Sequence, residues 1–185
     1  MTPRQAREVL ERARCIHDAG AVSTALDRQA AEITAQLGDS DPLLLAVMTG
    51  GMWPTVELSR RLAFPHGVDY LHATRYRGAQ RGGEIQWRVW PSQAIEGRDV
   101  LVVDDILDEG HTLSAVKEAC TAAGARSVRT AVLVVKRNPR RSPQAGADFH
   151  ALEVDDVYVF GCGMDLAEYW RGLSEIYAVN EDDAR

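Results

Sequence analysis

The stretch VLVVDDILDEGHTL, residues 100–113, contains the strongest pattern in the chain. Four apolar residues, typical of a strand buried on both faces, come directly before Asp104 and Asp105. We predict that this strand ends at Asp104, which places Asp104, Asp105 and the following Asp108 at its carboxyl edge. Buried charge without a partner is costly there, so these acids need a group that compensates them.

The segment DEGHT at residues 108–112 predicts a binding site for a phosphate group. Gly110 can adopt a turn conformation that other residues rarely take, and a helix is predicted to begin just after it. Backbone N–H groups of such a turn and of a helix N-terminus bind anions. Because acids repel an anion, we expect Asp104 and Asp105 to serve hydroxyl groups and Mg²⁺ beside the phosphate. Hydroxyls, a cation and a phosphate together indicate a phosphorylated ribose.

Strands and helices alternate along the rest of the chain, which predicts an α/β fold with a mostly parallel central sheet flanked by helices. Ligands of such sheets bind at the carboxyl ends of the strands. The predicted helices are 3–19, with Thr2 as N-cap, 23–37, 53–63 and 112–123, and the predicted strands are 43–48, 68–76, 84–90, 100–104, 128–135 and 157–160. Residues 77–83, which are polar and glycine-rich, predict a long mobile hairpin between two of these strands.

The size and composition favour one globular domain over residues 1–185. Its expected parts are N-terminal helices in 1–40, a flexible hairpin in 66–92, and a small hood with the last strand in 150–185. No apolar run is long enough to span a membrane, and the charged N-terminal stretch lacks the apolar segment of a signal peptide, so we expect a cytoplasmic protein. The formal net charge of −6 argues against a nucleic-acid partner and for a small-molecule partner.

Five motifs carry a resemblance to a known family. VLVVDDILDEGHTL resembles the signature with which type I phosphoribosyltransferases bind phosphoribosyl pyrophosphate (PRPP). Over roughly residues 40–180 the chain resembles the hypoxanthine-guanine phosphoribosyltransferases of purine salvage. The other four motifs are MTGG at 48–51, VDYLHATRY at 68–76, VVKR at 134–137 and VYVFGCGMDLAEYWRGL at 157–173. The resemblance implies the type I phosphoribosyltransferase fold, with a hood and a mobile β-hairpin loop.

The resemblance also implies the reaction, in which a purine nitrogen displaces pyrophosphate from C1 of PRPP with Mg²⁺ bound. Asp104 and Asp105 would hold the ribose hydroxyls and Mg²⁺, and Asp108 would act as general base at N7 of the purine. Tyr76, in the mobile loop, would close over the site. The residues implied to bind phosphate groups are Glu109, Gly110, His111 and Thr112 for the 5-phosphate, and Thr49, Gly50, Gly51 and Arg171 for pyrophosphate.

Four residues are implied to form the purine site. Lys136 can only donate hydrogen bonds, so it favours the 6-oxo group of hypoxanthine or guanine over the 6-amino group of adenine. Tyr158 would stack on the purine, and the carbonyl of Val159 would accept from N1–H or from the 2-amino group of guanine. Asp165 would line this site and hold a second Mg²⁺.

Two alternatives remain open. A regulator of the pyrimidine attenuation type would keep the PRPP site and bind messenger RNA, and the basic run KRNPRR at 136–141 is the only dense cluster that could serve it. A xanthine phosphoribosyltransferase would keep the same purine site. The resemblance suggests a homodimer or homotetramer. Glu109 stands where many relatives carry threonine, so its backbone would contact the phosphate while its side chain has no assigned role. The side chains of Arg75 and His111 are similarly open.

Overall fold

The computed structural model describes residues 1–75, 85–141, 145–180 and 183. Its helices are α1 (Pro3–Arg12), α2 (Ala19–Leu37), α3 (Met52–Ser59) and α4 (His111–Ala122). Its strands are β1 (Arg14–His17), β2 (Leu43–Val47), β3 (Gly67–Arg75), β4 (Ile85–Val89), β5 (Asp99–Leu107), β6 (Ser127–Lys136), β7 (Phe149–Val154), β8 (Val159–Phe160) and β9 (Ile176–Ala178).

Six strands form the main sheet in the order β4-β3-β2-β5-β6-β7. All neighbouring pairs from β3 to β7 are parallel, and only the edge pair of β4 and β3 is antiparallel. The prediction of a mostly parallel sheet is therefore confirmed. Strand β5, which carries the acids, lies in the interior of the sheet between β2 and β6.

Helices cover both faces of the main sheet. On one face, Leu26 of α2 and Leu58 of α3 share a buried cluster with Leu101 of β5. On the other face, Val116 of α4 packs in a cluster with Val102. Successive residues of a strand point to opposite faces, so the continuous apolar run of β5 supplies both layers of the core.

A second sheet joins the two ends of the chain. It is antiparallel, with the order β1-β9-β8. Val9 of α1 packs in a buried cluster with Phe160, and the indole Nε1 of Trp170 donates to the carbonyl oxygen of Ala6 over 2.9 Å. The N-terminal helix is thereby attached to the C-terminal loops.

Some predicted segments differ from the structure. The helix predicted over 3–19 begins at Pro3 as expected, but its predicted end is wrong, because α1 ends at Arg12 and β1 follows it. Residues 1–40 therefore contain a strand that pairs with β9 near the other end of the chain. Strand β7 was not predicted; it belongs to the main sheet, so the hood comprises β8 and β9, with β1, rather than all of 150–185.

Strands β3 and β4 form the predicted antiparallel hairpin. The residues that connect them, including Tyr76 and the glycine-rich segment 77–83, lie outside the described residues. Within the part of the chain that is described, none of the helices has the length and apolar character needed to cross a membrane.

Asp99, at the start of β5, is a buried carboxylate held by two neighbours. It is 8% exposed, and it accepts hydrogen bonds from Arg126 Nε over 3.1 Å and from Ser127 Oγ over 2.7 Å. The hydrogen bonds from Arg126 and Ser127 lower the pKa of Asp99 to about 2. A carboxyl whose pKa is depressed by folding stabilises the fold above its unfolded pKa, and this stabilisation is lost as the pH falls.

Asp99→Asn is therefore expected to lower the free energy of unfolding by about 1 kcal/mol at pH 7, a value discounted because Arg126 is largely exposed to solvent. The difference between wild type and variant should shrink as the pH falls from 7 to 3. Urea unfolding at both pH values measures it. Asp41→Asn, at an exposed acid that lies 3.9 Å from Arg98, is the matched control and should change little. An equal destabilisation at both pH values would contradict the prediction.

Candidate active site

Asp104 and Asp105 lie inside strand β5, which continues to Leu107, so the predicted end of the strand at Asp104 is wrong. Strand β5 keeps pairing with β6 as far as Leu107. On its other side it pairs with β2 only as far as Val103. The two acids therefore follow the point where β5 loses one neighbouring strand, and they border a cavity instead of the packed core.

Burial disfavours the charged forms of both Asp104 and Asp105, and the charge of Asp105 adds to this effect at Asp104. The backbone N–H of Asp105 donates to Oδ1 of Asp104 over 2.9 Å, which fixes that side chain. Burial and the charge of Asp105 raise the pKa of Asp104 well above its ordinary value, and burial raises the pKa of Asp105. Mg²⁺ prefers carboxylate and phosphate oxygens and would offset this effect. The described residues form no metal site with three or more acidic, histidine or cysteine ligands. Two neighbouring carboxylates suit Mg²⁺, which is usually bound by one or two carboxylates together with substrate phosphates.

A cavity of about 350 Å³, here called the loop cavity, extends from these acids to the start of α4. The predicted 5-phosphate residues Glu109, Gly110, His111 and Thr112 line it. Gly110 has a φ of 86°, and a Cβ there would lie 2.3 Å from the Cβ of Ala145, so the position requires glycine. His111 Nε2 lies 3.7 Å from Glu109 Oε2. The N-terminus of α4 at this wall favours an anion.

The segment Thr49-Gly50-Gly51 follows β2 and lies against Asp105. A Cβ at Gly50 would lie 1.8 Å from Oδ2 of Asp105. A Cβ at Gly51 would lie 2.4 Å from a carbonyl oxygen of β5. Any side chain at either glycine would displace Asp105 or the strand, so these residues permit a close approach of two backbones.

A second cavity of about 200 Å³, here called the lysine cavity, adjoins the first. The two cavities share Asp105, Ile106 and Asp108. The rest of its lining comprises the four predicted purine-site residues and one that was not predicted: Lys136, Tyr158, Val159, Asp165 and Met164. The sequence therefore identified the wall of this cavity, although the purine role of these residues stays a prediction.

Lys136 contacts two acids, Asp108 and Asp156. Its Nζ lies 3.3 Å from Oδ2 of Asp108 and 3.3 Å from Oδ1 of Asp156, and its side chain is only 14% exposed. Asn138 Nδ2 donates to the other oxygen of Asp108, Oδ1. Asp156 and Asn138 were not predicted. The only sequence signal for Asn138 is its place in the basic run 136–141, where the charges of its neighbours dominate the pattern.

Arg171 and Asp165 lie on one loop that reaches the glycine segment. Arg171 Nη2 lies 2.8 Å from Asp165 Oδ1, and its Nη1 donates to the carbonyl of Gly163 over 2.8 Å. A Cβ at Gly163 would lie 2.3 Å from the carbonyl oxygen of Gly50. Asp165 Oδ2 accepts from the backbone N–H of Glu168 over 2.7 Å. Both oxygens of Asp165 are thus engaged within its own loop, and its role as a metal ligand stays a prediction.

The basic run at 136–141 is paired with acids of the same face. Arg137 lies 3.2 Å from Glu153 and 3.2 Å from Asp155, and Arg140 lies 3.4 Å from Asp156. An RNA-binding surface needs cations that can pair with phosphates. These ion pairs leave little excess positive charge, so the run does not favour the RNA-binding alternative.

Proteins of known class are similar to this chain in sequence. Residues 13–168 match the family model of the phosphoribosyl transferase domain. The hypoxanthine-guanine phosphoribosyltransferase of Bacillus subtilis is 31% identical over 147 residues, which are 79% of this chain and 81% of that relative. The hypoxanthine phosphoribosyltransferase of Salmonella typhimurium is 31% identical over 145 residues, which are 77% of this chain and 81% of that relative.

Solved structures share the fold. A hypoxanthine phosphoribosyltransferase from Staphylococcus aureus matches with a TM-score of 0.85 at 22% identity, over 91% of this chain and 92% of its own. A hypoxanthine phosphoribosyltransferase from Trypanosoma cruzi matches with a TM-score of 0.85 at 22% identity, over 92% of this chain and 97% of its own. The type I phosphoribosyltransferase fold is confirmed, and fold and sequence together define a phosphoribosyltransferase. The chain belongs to the hypoxanthine-guanine phosphoribosyltransferase family.

Asp105→Asn is expected to stabilise the protein without ligands by on the order of 1 kcal/mol at pH 7, because it removes a carboxylate whose charged form is disfavoured by burial. A raised folded pKa means that the acid pair destabilises the fold increasingly as the pH rises through that pKa. The gain should therefore fade toward pH 4. Urea unfolding in the presence of EDTA measures it, with exposed Asp155→Asn as the matched control. A variant less stable than wild type at pH 7 would refute this.

Proposed function

We propose that this protein is a purine salvage enzyme that transfers the 5-phosphoribosyl group of PRPP to hypoxanthine or guanine, giving IMP or GMP and pyrophosphate. It would thus be a glycosyltransferase for a pentosyl group. The observation that carries the proposal is the wall shared by the two cavities, which Asp105 and Asp108 both line. A phosphorylated ribose in the loop cavity and a purine in the lysine cavity would meet at these acids.

The loop cavity would bind PRPP. Asp104 and Asp105 would hold the ribose hydroxyls and Mg²⁺, and the N-terminus of α4 would bind the 5-phosphate. Bound Mg²⁺ neutralises charge on the pyrophosphate leaving group. The backbone amides of Gly50 and Gly51, together with Arg171, would bind the departing pyrophosphate. Donors placed where charge develops are usually the largest contribution to catalysis.

The lysine cavity would bind the purine, and Asp108 in its wall would accept a proton from it. As a purine nitrogen attacks C1, the bond from C1 to the pyrophosphate oxygen breaks, and the proton on N7 moves to Asp108. Lys136 would donate to the 6-oxo group, and Tyr158 would stack on the ring. The carbonyl of Val159 would accept from N1–H or the 2-amino group; the 2-oxo group of xanthine would meet it acceptor to acceptor.

The proposal also includes the oligomeric state of the protein, its location in the cell and the closure of the active site by Tyr76. A homodimer or homotetramer is supported by exposed apolar side chains on and just after the β3–β4 hairpin: Val68, Tyr70, Trp87, Val89 and Trp90. A cytoplasmic location is supported by the free thiols of Cys15, Cys120 and Cys162, which suit a reducing compartment. Closure by Tyr76 stays a prediction, because that residue lies outside the described part of the chain.

Incubation of the purified protein with PRPP, Mg²⁺ and one base at a time tests the reaction. Hypoxanthine and guanine should yield nucleotide and pyrophosphate, xanthine should react more slowly, and adenine and uracil should give no measurable product. Chromatography of the nucleotides measures the outcome. A protein that forms neither IMP nor GMP would overturn the proposed function.

Lys136→Gln is expected to lower kcat/KM for hypoxanthine by about 10- to 100-fold, because a charged donor to the 6-oxo group is lost. The amide of glutamine both donates and accepts, so the discrimination against adenine should narrow. Steady-state kinetics with both bases measures the change. Lys117→Gln is the matched control at the other lysine of the chain, which lies on α4 and 3.6 Å from Asp148. Unchanged base selectivity in Lys136→Gln would remove Lys136 from the purine site.

A further inference from the structure

Asn138 contacts Asp108 but has no part in the roles described above. It follows β6 and is 6% exposed. Its Nδ2 donates to Oδ1 of Asp108, and its Oδ1 accepts from the backbone N–H of Arg140 over 2.8 Å. Both ends of this buried amide are therefore engaged.

The two partners of Asn138 determine which way its amide points. A backbone N–H can only donate and an ionised carboxylate can only accept. The reverse orientation would set donor against donor at Arg140 and acceptor against acceptor at Asp108. Asn138 is consequently a dedicated N–H donor to Asp108.

Asn138 approaches Asp108 from behind the lysine cavity. It lines a separate cavity of about 520 Å³, which it shares with Arg141, whereas Lys136 lines the lysine cavity. Arg141 Nε also donates to the backbone carbonyl of Asp108 over 3.3 Å. Asn138 thus contacts Oδ1 of Asp108 on the side away from the lysine cavity. Lys136 contacts the other oxygen, Oδ2, on the side of the lysine cavity, where the purine is proposed to bind.

We propose that Asn138 is a positioning residue that holds Asp108 with Oδ2 directed at the purine. The inference rests on the proposed function of Asp108 as general base. During the transfer the N7–H bond of the purine breaks and an O–H bond forms at Oδ2, while Oδ1 continues to accept from Asn138.

Asn138→Asp is the principal test, since it keeps an acceptor for Arg140 and replaces only the donor to Asp108. We expect kcat for hypoxanthine to fall about 10- to 100-fold, with KM for PRPP changed by less than about twofold. The acid limb of the kcat–pH profile should move up by about 1 pH unit, because a second carboxylate disfavours ionisation of Asp108 and the base acts only when ionised.

The other charged groups around Asp108 are the same in wild type and variant. Among the described residues they are Lys136 at Oδ2, Asp156 across that lysine, Arg141 at the backbone carbonyl, and Asp105 in the shared cavity wall. A displacement of the acid limb therefore reports the substitution at position 138.

Three further variants separate positioning from a structural role. Asn180→Asp makes the same change at the other asparagine of the chain, which donates to the carbonyl of Arg12, and should leave kcat and its pH profile unchanged. Asn138→Ala adds no charge and should lower kcat about tenfold with a smaller displacement of the acid limb. In an Asp108→Asn background, adding Asn138→Asp should lower kcat no further.

The outcomes distinguish this inference from the proposed function. A structural role alone would lower the melting temperature without moving the acid limb. An active wild type with an unmoved acid limb in Asn138→Asp, or with unchanged kcat in Asn138→Ala, would overturn the inference and leave the proposed function standing. A wild type that forms neither IMP nor GMP would overturn both.

Discussion

The close packing of backbone around Asp105 is the constraint on which the site depends. A Cβ at Gly50 would lie 1.8 Å from the carboxylate of Asp105, and one at Gly163 would lie 3.2 Å from its Cβ. Three segments that are distant in sequence therefore meet without intervening side chains. Because they meet so closely, the acids of β5, the glycine segment after β2 and the loop that carries Arg171 form a single wall.

Lys136 is a nearly buried cation that is paired with acids and can still bind a ligand. Its ammonium group has three donors, and two acids, Asp108 and Asp156, each lie 3.3 Å from it. One donor is left for a further acceptor, such as a carbonyl group in the lysine cavity. The two acids balance the buried cation without occupying all of its hydrogen-bonding capacity, so a neutral base with an oxo group can bind without displacing either of them.

Local patterns in the sequence predicted the central motif, and non-local contacts explain what they missed. Gly110 has the left-handed conformation expected for the turn, and helix α4 follows it. Strand β5 runs to Leu107 instead of ending at Asp104, because β6 continues to pair with it there. Strand β1 was predicted as helix, since only its pairing with β9 makes it a strand. Asn138 gave no signal beyond its place in the basic run, because its partner Asp108 follows a different strand, β5.

The basic run 136–141 shows why charge along a sequence is ambiguous until its partners are known. Lys136 and Arg140 share Asp156, and Arg141 donates to the carbonyls of Lys136 and Asp108. Cations that could have formed a nucleic-acid surface instead pair with acids and carbonyls of their own face. Each of these contacts holds the loop after β6 in place, and that loop carries Asn138. The same residues that suggested an external partner therefore build the rear wall of the proposed purine site.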